Sequence, residues 1–343
     1  MAKGTSRTFA TGKLPTHVLE RLLAGAPIRD KRVLVGPRVG LDAAVIDCGS
    51  TCLVLKSDPI TFAADRIGWY AVNINANDVA AMGATPKWFL ATLLLPEQGS
   101  TTRLVEKIFD DLAAACDELD ISLCGGHTEV TAGLDRPILC GQLVGEVDRK
   151  KLVVPKRVRI GDSILLARGI AIEGTAVAAR ERRKLVEEKL GKTMARRARR
   201  FLDQPGISVV RAALTANSAG RIHAMHDPTE GGLAMGLYEV AKASSRGMLV
   251  DRDAVPVYPE TAALCETFGL DAFRLLASGA LIIVCAARDT ENIIRALERE
   301  DISVVEIGSI KSAQSGVVLK STGARRKIAK FEVDEITKFL ADS

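Results

Sequence analysis

One aspartate occupies a helix position that its neighbours mark as core. Over 65–83, Ile67, Tyr70, Ala71, Ile74 and Ala81 recur at the 3.6-residue period of one apolar stripe. Asp78 falls four residues after Ile74 and three before Ala81, on that same stripe. Desolvating a carboxylate is costly unless it is ion-paired, hydrogen-bonded or bound to metal. Two readings stay open from this helix alone: a structural ion pair, or a ligand held ready for a cation. Asp65 is expected to cap the helix start, Gly83 to close it, and Pro86 to prevent its return.

Two more carboxylates point to the same corner. The apolar runs 43–47 and 51–56 flank Cys48-Gly49-Ser50 and read as a β-hairpin. Asp42 enters its first strand and Asp58 leaves its second, so the open end brings them together. Asp78, on the next helix, reaches the same place. Three carboxylates gathered without a cation would repel. An oxygen-only set favours Mg²⁺, which is held by one or two carboxylates plus substrate phosphates.

Glycines mark two further places. Gly125-Gly126-His127-Thr128-Glu129 follows a strand over 121–124, where glycine lets backbone N–H groups approach a phosphate. His127 or Glu129 would supply acid–base or metal chemistry there, and a tight turn is the plainer alternative. His226-Asp227-Pro228-Thr229-Glu230-Gly231-Gly232 follows a strand over 221–225 and opens a helix to about 245. Asp227 reads as N-cap, Pro228 as first helical residue and Glu230 as the third, a capping box. Gly231 and Gly232 are not explained by capping, and they permit a phosphate at the positive helix end. No GxxxxGK[ST], GxSxG or HExxH pattern is present.

These groups need a scaffold. A buried strand is expected over 88–95, a helix over 102–119 and a strand over 138–147, which completes a mixed unit. The charged stretch 148–159, with Pro155, marks a boundary between domains at 1–150 and 151–343. The chain has 343 residues, 47% hydrophobic and 26% charged, the balance of a soluble two-domain protein. No apolar run approaches the ~20 residues of a membrane-spanning helix, and no signal core opens the chain. A cytoplasmic location is therefore expected. The net charge of +5 owes much to 180–200, read as a solvated helix with Glu–Lys and Glu–Arg pairs. With 4% aromatic residues, base-stacking platforms and a nucleic-acid partner are not expected. Seven cysteines include no CxxC pair, which gives zinc little support, while Cys48 and Cys52 are spaced to bridge.

The ordered segments Gly40-Leu41-Asp42-Ala43-Ala44, Lys56-Ser57-Asp58-Pro59, 77–86 (NDVAAMGATP), 125–129 and Asp227 to Leu233 resemble the aminoimidazole ribonucleotide synthetase-related (PurM-like) superfamily. The likeness runs over nearly the whole chain and is nearest to the hydrogenase expression/formation protein E branch. It implies an α+β fold of two mixed domains, a homodimer through the N-terminal sheets, and ATP with Mg²⁺ between the domains. By this likeness Asp42, Asp58 and Asp78 are metal positions. Lys56, Asn77, Gly125, Gly126, Asp227, Thr229, Gly231 and Gly232 are cofactor-binding positions, and His127 and Glu129 are the catalytic candidates.

The chain also departs from its relatives. The hydrogenase maturation branch carries a C-terminal cysteine, whereas none follows Cys285 here, so that thiocarbamate route is not expected. The family's Asn-Glu-Gly-Lys is Ala277-Ser278-Gly279-Ala280, and His127 stands where several relatives have an acid. The reading is an ATP-dependent enzyme that phosphorylates a substrate oxygen on a small molecule or protein terminus, with a maturation protein as a possible partner. The alternative is a non-catalytic dimeric scaffold on the same fold that binds nucleotide or partner.

Overall fold

The computed structural model describes residues 9, 14–38, 40, 43–61, 65–328 and 333–341. The first half contains α1 (Thr16–Ala24), β1 (Val33–Val35), β2 (Ala44–Asp47), β3 (Thr51–Ile60) and α2 (Ile67–Ala81). β4 (Thr85–Pro96), α3 (Thr102–Glu118), β5 (Ser122–Thr131) and β6 (Ile138–Asp148) complete it. Its six strands form one sheet in the order β1-β2-β3-β6-β4-β5, antiparallel except for the β4–β5 pair.

The second half runs β7 (Ser163–Ala167), α4 (Ile172–Glu181), α5 (Arg183–Arg199), α6 (Val210–Ala219), β8 (Ile222–His226), α7 (Gly232–Ser244) and β9 (Gly247–Asp251). It continues with α8 (Pro259–Phe268), β10 (Leu281–Cys285), α9 (Thr290–Glu298), β11 (Val304–Lys311), β12 (Val317–Ser321), β13 (Ala324–Lys327) and α10 (Glu335–Ala341). Seven strands form its sheet in the order β13-β12-β9-β11-β7-β10-β8. The fold is thus the expected α+β pair of mixed layers.

Side-chain alternation explains how β3 serves both core and site. Cys52, Val54, Lys56, Asp58 and Ile60 share one face. Cys52 and Val54 are fully buried beneath α2, and the same face then delivers Lys56 and Asp58. The strand is longer than the hairpin reading gave it, because residues Thr51 to Ile60 pair continuously with β6. Asp58 therefore lies within the strand, opposite Gly141.

Helix α2 is buried nearly all round. Val72, Ala76, Val79 and Ala80 are fully buried, beyond the residues of the expected stripe. The reason is its position: it packs on β3 and β6 on one side, on α3 on another, and on α6 and β8 of the second half. One apolar cluster passes from Val54 and Leu143 through Val79 to Val209, Ile222 and Met225. Each fully buried aliphatic side chain there stabilises the fold by about 1.5–3 kcal/mol. Asp65 does not cap α2; Arg66 holds the N-cap position in a left-handed conformation, and Asp65 meets Lys107 at 2.7 Å. Among the described residues no helix is long and apolar enough to cross a membrane. The seven cysteines are free, Cys48 and Cys52 included.

Candidate functional site

The face of β3 and the inner side of α2 bring Lys56, Asp58 and Asp78 together. Lys56 Nζ lies 2.7 Å from Asp78 Oδ2 and 3.3 Å from Asp58 Oδ2. The Asp78 side chain is 9% exposed and that of Lys56 17%, whereas Asp58 reaches further into solvent. An ammonium–carboxylate pair with so little water around it interacts more strongly than one on the surface. Asn75 fixes the spacing between the two elements, donating from Nδ2 to Ala71 O at 2.8 Å and to Asp58 O at 3.4 Å. Gly141 leaves room for that amide; a Cβ there would lie 2.5 Å from it. Asp42 lies outside the described residues.

Asn77 faces the other way, into the second half. Its Nδ2 donates to Ile207 O at 2.9 Å, and its Oδ1 accepts from Val209 N–H at 2.8 Å. The amide thus imitates a strand pairing and holds the segment that leads into α6. Arg66 adds an ion pair to Asp203 at 2.5 Å, and Arg168 donates to Gly206 O at 3.0 Å.

Gly125 and Gly126 lie inside β5, not at a strand end as the sequence suggested. β5 runs on to Thr131 alongside β4. Gly126 takes φ +149° and a Cβ there would stand 1.9 Å from Ala91 O, so the close approach of the β4 backbone demands glycine. His127 Nε2 meets Glu129 Oε2 at 3.0 Å, both side chains at least half exposed. The register aligns Asp58, Gly141, Ala91 and Gly126 across four neighbouring strands. Three strand spacings separate Asp58 from Gly126, about 14 Å. Within one chain His127 and Glu129 therefore stand apart from the lysine–aspartate corner.

The Asp227 loop also differs from its capping-box reading. Helix α7 starts at Gly232 with Gly231 as N-cap, so Asp227, Pro228 and Glu230 precede the helix. Asp227 is 2% exposed and directly follows β8, the strand packed on α2. Thr229 O accepts from Gly232 N–H at 3.1 Å and from Ala277 N–H at 3.2 Å. The Gly231 N–H donates to Asp334, whose carboxylate also accepts from Leu276 N–H at 3.2 Å and Ile336 N–H at 2.8 Å. Gly232 takes φ +65°, and a Cβ there would meet Phe273 O at 2.6 Å. Both glycines thus have a backbone reason for their identity.

Two acids escaped the sequence reading. Glu173, in the first turn of α4, is pushed up to about 7 by burial, with Asp334 and Glu230 adding to the rise and the Ser278 hydroxyl opposing it. Burial likewise raises Asp334 above the usual carboxylate range against the pull of its three N–H donors. Tyr70 on α2 is raised by burial and by Glu173, which places this acid beside the junction of the two halves. The signal was available: Glu173 stands between the apolar Ile170-Ala171-Ile172 and Ala176-Val177-Ala178, just as Asp78 interrupts its own stripe.

The lysine corner passes a simple test for a divalent cation. One ammonium nitrogen sits within ion-pair distance of both Asp58 and Asp78, so a cation is already accommodated between them. Two carboxylates plus phosphate oxygens suit Mg²⁺. Among the described residues no group of three His, Cys, Asp or Glu gathers as a ready metal cage.

Comparison with known proteins agrees with this architecture. Residues 40–147 match the family model of the AIR synthase related protein N-terminal domain, and 159–320 that of its C-terminal domain. A Methanocaldococcus jannaschii protein named for hydrogenase expression and formation is 28% identical over 83% of this chain and 84% of its own length. The carbamoyl dehydratase HypE of Rhizobium leguminosarum bv. viciae is 27% identical over 76% and 73%. A selenide, water dikinase of Photobacterium profundum is 30% identical over 72% and 69%. The hydrogenase maturation protein HypE in complex with ATP superposes with a TM-score of 0.70 at 24% identity, over 93% of this chain and 91% of that one. A HypE–HypF complex gives 0.70 at 22% identity, over 84% and 93%.

Proposed function

This chain belongs to the AIR synthase related family, and on that footing we propose that it is an ATP- and Mg²⁺-dependent enzyme that phosphorylates an oxygen of its substrate and so turns it into a leaving group. The observation that carries the reading is the enclosed Lys56–Asp58–Asp78 corner between β3 and α2. Relatives named as a carbamoyl dehydratase and a selenide, water dikinase, and a structural neighbour solved in complex with ATP, support the same reaction class.

In this reading Asp58 and Asp78, with Asp42, hold Mg²⁺, which when bound supplies charge to the triphosphate. Lys56 offers its ammonium to phosphate oxygens. Asn77 fixes the second half against α2, and Asp227, Thr229, Gly231 and Gly232 close the site from that side. Phosphoryl transfer asks mainly for position and charge neutralisation, which these groups provide.

The protein acts as a homodimer through β5, with His127, Glu129, Gly125 and Gly126 completing the site across that contact. β5 is the edge strand of its sheet, and all its residues but Thr131 are exposed, Leu123 and Val130 among them. A HypE–HypF complex among the structural neighbours supports a maturation protein as partner.

Mg²⁺-dependent ATP turnover by the wild type beside Asp78→Asn tests the reading. The variant should lose on the order of 100-fold or more in turnover. Equal turnover in a folded variant would remove Asp78 from the site. Wild type without turnover in the presence of partner proteins and metabolite extracts would favour the scaffold reading.

A further inference from the structure

We propose that Lys56 is a built-in cation for the carboxylate corner: its ammonium holds Asp58 and Asp78 in place while no divalent ion is bound, and moves to the nucleotide phosphates when Mg²⁺ enters with them. The proposal rests on the function read above and assigns the order in which that site fills.

The geometry is specific. Lys56 and Asp58 stand two residues apart on one face of β3, and Asp78 comes from α2 across the gap. The nitrogen touches an oxygen of each, at 3.3 and 2.7 Å. Both Lys56 and Asp78 are largely shielded from water, so Asp78 without a cation would be a desolvated charge. A divalent ion entering between the carboxylates would stand within contact distance of the ammonium if the lysine kept its place. At such separations in a partly desolvated site their repulsion is large. The lysine must therefore leave its place, and a four-carbon stem allows it to do so. A triphosphate arriving with the metal gives it a destination.

The consequence is a sign inversion. Lys56 opposes metal binding in the absence of nucleotide and favours it in the presence of nucleotide. Metal loading is thereby restricted to the metal–nucleotide complex, and the corner remains ordered between turnovers.

The test uses Mn²⁺ alone as probe, followed by electron paramagnetic resonance on the full chain without nucleotide. Lys56→Met should bind Mn²⁺ at least about tenfold more tightly than wild type, and should bind Mn²⁺ with a non-hydrolysable ATP analogue about tenfold less tightly. Equal or weaker Mn²⁺ binding by the variant overturns the proposal, as does an unchanged affinity for the nucleotide complex. A second measurement needs no variant: reductive methylation of wild-type Lys56, read by mass spectrometry. The amine should be protected in the free protein, exposed by Mg²⁺ alone and protected again by Mg²⁺ with the analogue. A labelling rate that Mg²⁺ at site-filling concentration leaves unchanged contradicts the exchange. Loss of this pattern with ATP turnover intact would sink only the lysine's role, whereas absent turnover with the pattern intact would sink only the reaction.

Discussion

Asp78 and Glu173 are both buried carboxylates on helices, and their surroundings differ. Asp78 meets an ammonium at 2.7 Å. Glu173 is buried near two further acids, Asp334 and Glu230, and burial above all raises it from 4.5 to about 7. The folded protein keeps this proton across a pH range in which the unfolded chain has released it. Stability from Glu173 is therefore full below pH 4.5 and falls away as pH rises towards about 7. The full loss amounts to about 3 kcal/mol. Glu173→Gln should remove that slope: urea unfolding should show the variant more stable than wild type at pH 8 and the gap closing towards pH 4.5. Parallel stability curves for the two proteins would contradict the buried acid. Residue spacing was enough to find Asp78, because a helical stripe can be counted along the chain. It did not identify Asp334, whose carboxylate gathers the N–H groups of Gly231 and Leu276 from distant segments and that of nearby Ile336.

At the scale of elements, α2 joins the two halves. Asn77 makes a reciprocal pair of hydrogen bonds with Ile207 and Val209, over a sequence separation of more than a hundred residues. Asn77→Ala would leave a buried N–H and a buried carbonyl without that partner, at a cost of about 2–4 kcal/mol. Hydrogen exchange should speed up selectively at the Val209 amide and the first turn of α6, while the β3–β6 ladder stays protected. Exchange at Val209 as slow as in wild type would mean that the amide is not the clasp. The elements themselves were largely legible. The helices at α2 and α3, the β2–β3 hairpin and the strands β4, β6 and β8 follow from period and turn residues. Gly125-Gly126 read as a strand end, yet β5 continues past them, and Gly126 is required by the close approach of the Ala91 backbone. Gly232 likewise owes its identity to close packing on Phe273. Contacts from other segments set those positions, and no local pattern contains them.

Across the whole molecule, the sheet edges define what a second copy can meet. β5 carries Leu123 and Val130 in the open, at 40% and 57% exposure, beside His127 and Glu129. Pairing through this strand would cover apolar surface and satisfy edge backbone groups together. Val130→Lys should convert two-chain particles into single chains in sedimentation velocity, with the second-domain sheet unaffected. Wild type that sediments as a single chain at micromolar concentration would rule the pairing out. The mixed unit of strands and helices in the first half was readable from their periods, whereas the two-domain α+β plan was implied by the family resemblance. The wrapping of α2 by both halves was not readable, because the one stripe that the sequence displays accounts for only part of its buried surface.

The central claim is that the Lys56–Asp58–Asp78 corner receives a metal–nucleotide complex. Calorimetric titration of wild type and Asp78→Asn with a non-hydrolysable ATP analogue, with and without Mg²⁺, tests it most directly. The account predicts binding that requires Mg²⁺ and weakens by about tenfold or more in the variant. Binding that ignores both Mg²⁺ and the substitution, or no binding at all to the folded wild type, would contradict it.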